Sequence, residues 1–236
     1  MESAFRQEEA LVLASGGQDS TTCLYWAVRQ FARVHAIAFV YGQKHEAEVA
    51  AGQKICDRLG VDLKVVDLSF MTQVAESALF KGPASVNAPH ALARDVPASF
   101  VPYRNLLFLT VAAQWASTLR LRHLVTGVCQ ADSSGYADCR DVFVKAAQAT
   151  LNLATDFPDL GVIVHTPLMW LTKAKEFALA EELGCLDVIL EDTMTCYHGS
   201  TQRQAYGLGC GECPACQLRR KGWEEYQRSK EDQQHA

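Results

Sequence analysis

The sequence predicts an α/β fold, a doubly wound parallel sheet with helices on both faces, and three observations predict it. Over its first two thirds the chain alternates short runs rich in Val, Ile and Leu with longer amphipathic segments, the pattern of βαβ units. Its 236 residues, 49% of them hydrophobic, suffice for one substantial core with small appendages. A glycine turn stands directly after the first apolar run and opens the first helical pattern, the position at which such units bind anions.

Taken in order, the predicted strands are residues 10–14, 34–41, 63–67, 124–128 and 162–165, because each is short, apolar and rich in β-branched side chains. The predicted helices are residues 19–31, 46–59, 105–119, 141–153 and 173–183, the last closed by Gly184 where helices commonly stop. Between 69 and 99 the periodicity fails at Gly82, Pro83, Asn87, Pro89 and Pro97, and a break of that length reads as a functional lid. Residues 1–190 then form the main α/β domain and residues 191–236 a C-terminal segment whose final SKEDQQHA reads as a frayed tail.

Charge and composition narrow the partners. A net charge of −5 and a pI of about 5.8 argue against stable nucleic-acid binding, which needs clustered Lys and Arg. The N-terminal MESAFRQEEALVLA lacks the basic flank and apolar run of a signal peptide, and no later run reaches membrane-spanning length. These features predict a cytoplasmic protein with no membrane contact. Nine cysteines in a reducing compartment read as thiols or metal ligands.

The glycine turn is Ser15-Gly16-Gly17-Gln18-Asp19-Ser20, followed by Thr21 and Thr22. Two glycines let the backbone approach a ligand, and the helix behind them offers unpaired N–H groups to an anion. A capped strand-to-helix turn would look similar alone, but the place after the first strand favours a phosphate cradle. The loop lacks both Walker A spacing and G-x-G-x-x-G. Arg104 and Lys173 each stand at a predicted helix start, where a cation opposes the macrodipole unless an anion is present. The pair points to a shared anionic ligand, since such clamps stabilise a transferring phosphoryl group.

Cys196, Cys210, Cys213 and Cys216 offer four thiolates to a tetrahedral ion, with Gly211 and Pro214 shaping the turns. The C-x2-C-x2-C part is equally compatible with an iron–sulfur cluster.

S-G-G-x-D-S after a first strand resembles the PP-loop of the ATP pyrophosphatases, and the resemblance sharpens along the chain. ASGGQDSTTCL, YGQKHEAE, FVPYRNLLFL, TGVCQADSSGYADCRDVF, TPLMWLTKAKEFALA and CGECPACQLR resemble, in this order, the 7-cyano-7-deazaguanine (preQ0) synthase family. The resemblance implies an adenine nucleotide alpha-hydrolase-like fold. It implies ATP binding by Ala14, Ser15, Gly16, Gly17, Gln18, Asp19, Ser20, Thr21, Thr22, Cys23, Leu24, Asn105 and Gly127, with Mg²⁺ shared between the phosphates. Ser134, Gly135, Tyr136, Asp138 and Arg140 would bind the substrate, while Lys173, Arg219 and Arg104 would be catalytic. The four cysteines would hold a structural Zn²⁺ that staples the C-terminus so that Arg219 faces the active site.

The activity implied is ATP-dependent conversion of 7-carboxy-7-deazaguanine and ammonia to the nitrile through adenylated acid and amide, by a homodimer. Two departures from the family pattern stand out: Tyr103 replaces the usual glycine of V-P-G-R-N, and the loop between Cys196 and Cys210 is long. They leave room for a relative acting on another deazapurine. A PP-loop tRNA thiolase with an iron–sulfur cluster is the other alternative, against which the acidic balance and GYADCR speak.

Overall fold

The first strand, β1 (Phe5–Leu13), shows how the sequence sets the layers. Its successive side chains alternate, so Ala10 and Val12 enter one core and Leu11 the other. In a computed structural model, which describes residues 5–43, 47–80, 89–90, 93–130, 136–156, 159 and 161–234, β1 leads through α1 (Gln18–Gln30) to β2 (Phe31–Val40), α2 (Ala47–Leu59) and β3 (Leu63–Asp67). After a 3₁₀ turn at Ser69–Gln73 and the short strands β4 (Pro89–His90) and β5 (Ala93–Pro97) come α3 (Arg104–Thr118), β6 (His123–Val125), α4 (Asp141–Leu153) and β7 (Ile163–His165). The chain ends with α5 (Lys173–Glu182), α6 (Leu186–Asp192), the strands β8 (Arg203–Gln204) and β9 (Gly207–Leu208), and α7 (Pro214–Gln234).

Five strands form one parallel sheet in the order β3-β2-β1-β6-β7. The order reverses between β1 and β6, and in open sheets of this kind the crevice beyond the strand ends at that point receives ligands. Leu24 of α1, Ile55 of α2, Phe177 of α5, Ile189 of α6 and Tyr226 of α7 pack on one face. Ala112 and Ala116 of α3 pack on the other, with Met71 and Phe80 from the 69–99 stretch. The described parts of the expected lid are therefore anchored, and Ala78 N also donates to Ala98 O at 2.8 Å.

The predicted α/β architecture is the one observed, with differences at its ends. β1 starts at Phe5 because its polar beginning is paired: Glu8 meets His123, and Glu9 meets His35 at 3.0 Å. β6 stops at Val125, which frees Thr126, Gly127 and Val128 to form a loop. The expected frayed tail is instead helical to Gln234, tied down by Lys230 on Glu181 and by buried Tyr226. Among the described residues no helix is long and apolar enough to cross a membrane.

Candidate active site

Beyond β1 the backbone enters the glycine turn, and Ala14 N still follows the ladder, donating to Ile37 O at 2.8 Å. Gly16 adopts φ +88°, and a Cβ there would stand 2.1 Å from Glu48 O and 2.5 Å from Gly52 N. Only glycine lets the turn lie this close to α2. Ser15 Oγ lies 3.0 Å from Ser20 Oγ and accepts from Gly17 N at 3.3 Å, closing the loop on itself. The loop is also held from the far end of the chain. Met194 N donates to Gly16 O at 2.9 Å, and Gln18 N donates to Thr195 Oγ1 at 3.2 Å.

The loop forms one wall of a cavity of about 300 Å³ at the strand ends. Of the predicted nucleotide residues, Ala14, Ser15, Gly17, Gln18, Asp19, Ser20, Asn105 and Gly127 line it. Thr21, Thr22, Cys23 and Leu24 do not: they are buried in α1, with Cys23 and Leu24 in the core.

The two cations at helix starts are held differently, Lys173 by carboxylates and Arg104 beside tyrosine rings. Lys173 Nζ lies 2.7 Å from Asp19 Oδ2 and 3.1 Å from Glu176 Oε2. Glu176 is fully buried, and desolvation followed by the neighbouring Asp19 charge raises its pKa well above the ordinary carboxylate value. At the start of α3, Asn105 N donates to Asp138 Oδ2 at 3.1 Å. Arg104 lines the cavity with its guanidinium 5.8 Å from the Tyr41 ring centroid and 6.0 Å from that of Tyr136. Burial opposes its charge, but Tyr41, Tyr136, Asp138 and Tyr197 more than offset this.

The other predicted residues divide. Tyr136 Oη lies 2.6 Å from Ser99 Oγ and 3.3 Å from Tyr197 Oη, linking three segments around the cavity. Asp138 is buried as the cap of α3, and its Oδ1 has no partner among the described residues. Arg140 is exposed, and Ser134 and Gly135 lie outside the described residues. Arg219 sits behind the cavity wall, 2% exposed, donating through Nη2 to Ile189 O and Thr193 Oγ1 and through Nη1 to Thr195 Oγ1. Tyr103 does not line the cavity. It keeps a left-handed backbone, φ 61° and ψ 12°, and turns a 78% exposed ring outward beside Phe70 and Val74.

Sequence reasoning missed Glu48, Thr195 and Tyr197, all in the lining. Burial pushes the Glu48 carboxyl up to about 7, against the opposing pull of Arg104. Glu48 ends the YGQKHEAE stretch, so a signal was present; Thr195 and Tyr197 flank Cys196, where attention to the metal hid them.

The sulfurs of Cys196, Cys210, Cys213 and Cys216 all lie within 4.8 Å of one another, despite the long loop after Cys196. Thiolates at about 2.3 Å from one tetrahedral ion would stand about 3.8 Å apart, so the four fit a single metal ion. The hydrogen bond between Cys213 and Cys216 favours the thiolate of Cys213 and keeps the proton on Cys216.

A family model described as Queuosine biosynthesis protein QueC matches residues 9–227. Among solved structures, the chain is similar to the U34-tRNA thiolase NcsA from Methanococcus maripaludis with its [4Fe-4S] cluster, at 14% identity and a TM-score of 0.48, covering 98% of this chain and 68% of that one. It is also similar to a 4-thiouridine synthetase in an RNA complex with bound ATP, at 16% identity and a TM-score of 0.49, covering 92% of this chain but about half (53%) of the other. An NH3-dependent NAD synthetase from Campylobacter jejuni matches at 15% identity and a TM-score of 0.46, covering 78% and 67%. At that distance none of them speaks to a residue's role here.

Proposed function

The chain belongs to the queuosine biosynthesis protein QueC family, and from that premise we propose that it is an ATP-dependent 7-cyano-7-deazaguanine synthase. The supporting observation is the convergence of the phosphate loop, Arg104 and the loop after β6 on one cavity beside Tyr136. The reaction consumes 7-carboxy-7-deazaguanine and ammonia. Oxide is too poor a leaving group to depart in water, so each carboxylate oxygen leaves as a phosphate ester.

In the first round the substrate carboxylate attacks the α-phosphorus of ATP and pyrophosphate leaves. Ammonia then adds to the acyl carbon, AMP departs, and the amide remains after loss of a proton. In the second round the amide oxygen attacks the α-phosphorus of another ATP and pyrophosphate leaves; loss of AMP and the two amide protons then gives the nitrile. Arg104 and Lys173 would offset the negative charge that develops during phosphoryl transfer, Lys173 by turning from Asp19 to phosphate. Arg219 acts from behind, holding the wall in place.

Asp19, partly exposed in the cavity wall, fits a Mg²⁺ bound with the phosphates, and that ion would offset their charge. The cysteine cluster reads as a structural zinc site, because sulfurs this close suit one ion better than a cube whose thiolates each bind a different iron. Residues 1–190 serve as the nucleotide-binding domain and 191–236 as the zinc segment of a cytoplasmic homodimer with no stable nucleic-acid partner.

Mass spectrometry after mixing protein with Mg-ATP, ammonium and 7-carboxy-7-deazaguanine tests this. Nitrile with AMP supports the reading; nitrile with ADP overturns the adenylating route, and an unconsumed base overturns the substrate.

A further inference from the structure

Resting on the nucleotide reading of the cavity, we infer that Thr195 is a phosphate-binding residue whose hydroxyl hydrogen is directed at the ligand by Arg219. A threonine hydroxyl has one hydrogen to donate and two lone pairs to accept with. Both lone pairs are engaged: Gln18 N donates to Thr195 Oγ1 at 3.2 Å and Arg219 Nη1 at 3.4 Å. The hydroxyl hydrogen is therefore the capacity that remains, and among the described residues no acceptor takes it. Thr195 lines the cavity beside the phosphate loop, where a Cβ on Gly17 would stand 3.7 Å from its Oγ1. An acceptor arriving from the cavity completes the group.

Arg219 makes the arrangement rigid. Its guanidinium is 2% exposed and is pinned by Ile189 O at 2.6 Å and Thr193 Oγ1 at 3.0 Å, so the arm reaching Thr195 has a fixed origin. A cation behind the hydroxyl also polarises it toward donation to an anion. A second, independent feature points the same way. Gln18, also in the lining and 3% exposed, has an Nε2 without a partner among the described residues, a second donor at the same wall. Two donors beside the N-terminus of α1 suit an anion such as phosphate. Thr195 thereby touches the ligand, and Arg219 is a positioning residue.

Calorimetric titration of the full chain with Mg-ATP, Mg-pyrophosphate and adenosine, comparing the parent with Thr195→Val and Thr195→Ser, tests the assignment. The expected result is that Thr195→Val raises the Kd of ATP and of pyrophosphate about tenfold, the scale of one hydrogen bond to a charged group. Thr195→Ser stays within about twofold of the parent, and adenosine binds all three proteins alike. A Thr195→Val protein that holds ATP and pyrophosphate as tightly as the parent overturns the assignment. Equal weakening toward adenosine does so too, because it marks general damage to the site. A parent that binds neither ATP nor pyrophosphate overturns the nucleotide reading itself, a separate failure visible without any variant.

Discussion

Lys173 Nζ sits 2.7 Å from Asp19 Oδ2, so the first turn of α5 is bound to the phosphate loop across 154 residues of sequence. Glu176, one turn along α5, completes a triad whose members are mostly withdrawn from water. Removing the cation would leave Asp19 without its partner beside a buried Glu176 that already favours its neutral form.

Lys173→Met is therefore expected to cost about 3 kcal/mol in urea unfolding and to slow nitrile formation at least ~100-fold. Glu176→Gln conserves shape and replaces a carboxyl already inclined to hold its proton, so its stability stays within about 1 kcal/mol of the parent. Equal destabilisation by the two substitutions would contradict the triad's charge assignment.

Glu48 gives a pH signature. Its folded pKa of about 7 lies above the ordinary 4.5, so the stability it contributes is complete below 4.5 and is lost as pH rises through about 7. A Glu48→Gln protein should match the parent near pH 4 and exceed it by about 2 kcal/mol at pH 8, measured by urea titration across that range. A pH-independent difference would mean that Glu48 is not held in a desolvated site.

At Tyr103 a side chain occupies a backbone region that disfavours it, and the exposed ring recovers little burial. Tyr103→Gly should raise stability by about 1 kcal/mol, with unchanged ATP affinity because the residue lies outside the cavity lining. Thermal melts and nucleotide titration of the same sample check both halves. A loss of ATP binding would show that Tyr103 shapes the nucleotide site after all.

Metal analysis of the purified chain should find one zinc and no iron or acid-labile sulfide. Chelation, or Cys196→Ser, should weaken ATP binding at least ~5-fold, because Cys196 follows directly on the Thr195 that holds the Gln18 amide. Iron with sulfide would replace the structural-zinc reading by the cluster alternative.

Much of the fold was legible because its signals are local. Residues 63–67 and 141–153 have the predicted bounds, since alternation and amphipathic period depend only on neighbours. α7 was not seen as a helix. Its polar surface carries only a thin stripe of Trp223 and Tyr226, and its start is marked by Pro214 among metal-like cysteines. The site divided likewise: the glycine loop announces itself, whereas Thr195 matters only because of a hydrogen bond to residue 18, which no spacing rule reveals. Asp138 accepts from Asn105 N at the start of α3, a contact across 33 residues that its place in GYADCR gave no means to foresee.

The bond between Gln18 and Thr195 spans 177 residues, and Arg219 lies further still toward the C-terminus. During synthesis the phosphate loop leaves the ribosome long before its support exists, while domains otherwise tend to fold as they emerge. The nascent protein consequently cannot assemble a finished nucleotide site until almost the whole chain has been translated. A truncated product of a prematurely stopped message would carry the glycine loop intact and still lack the wall that holds it.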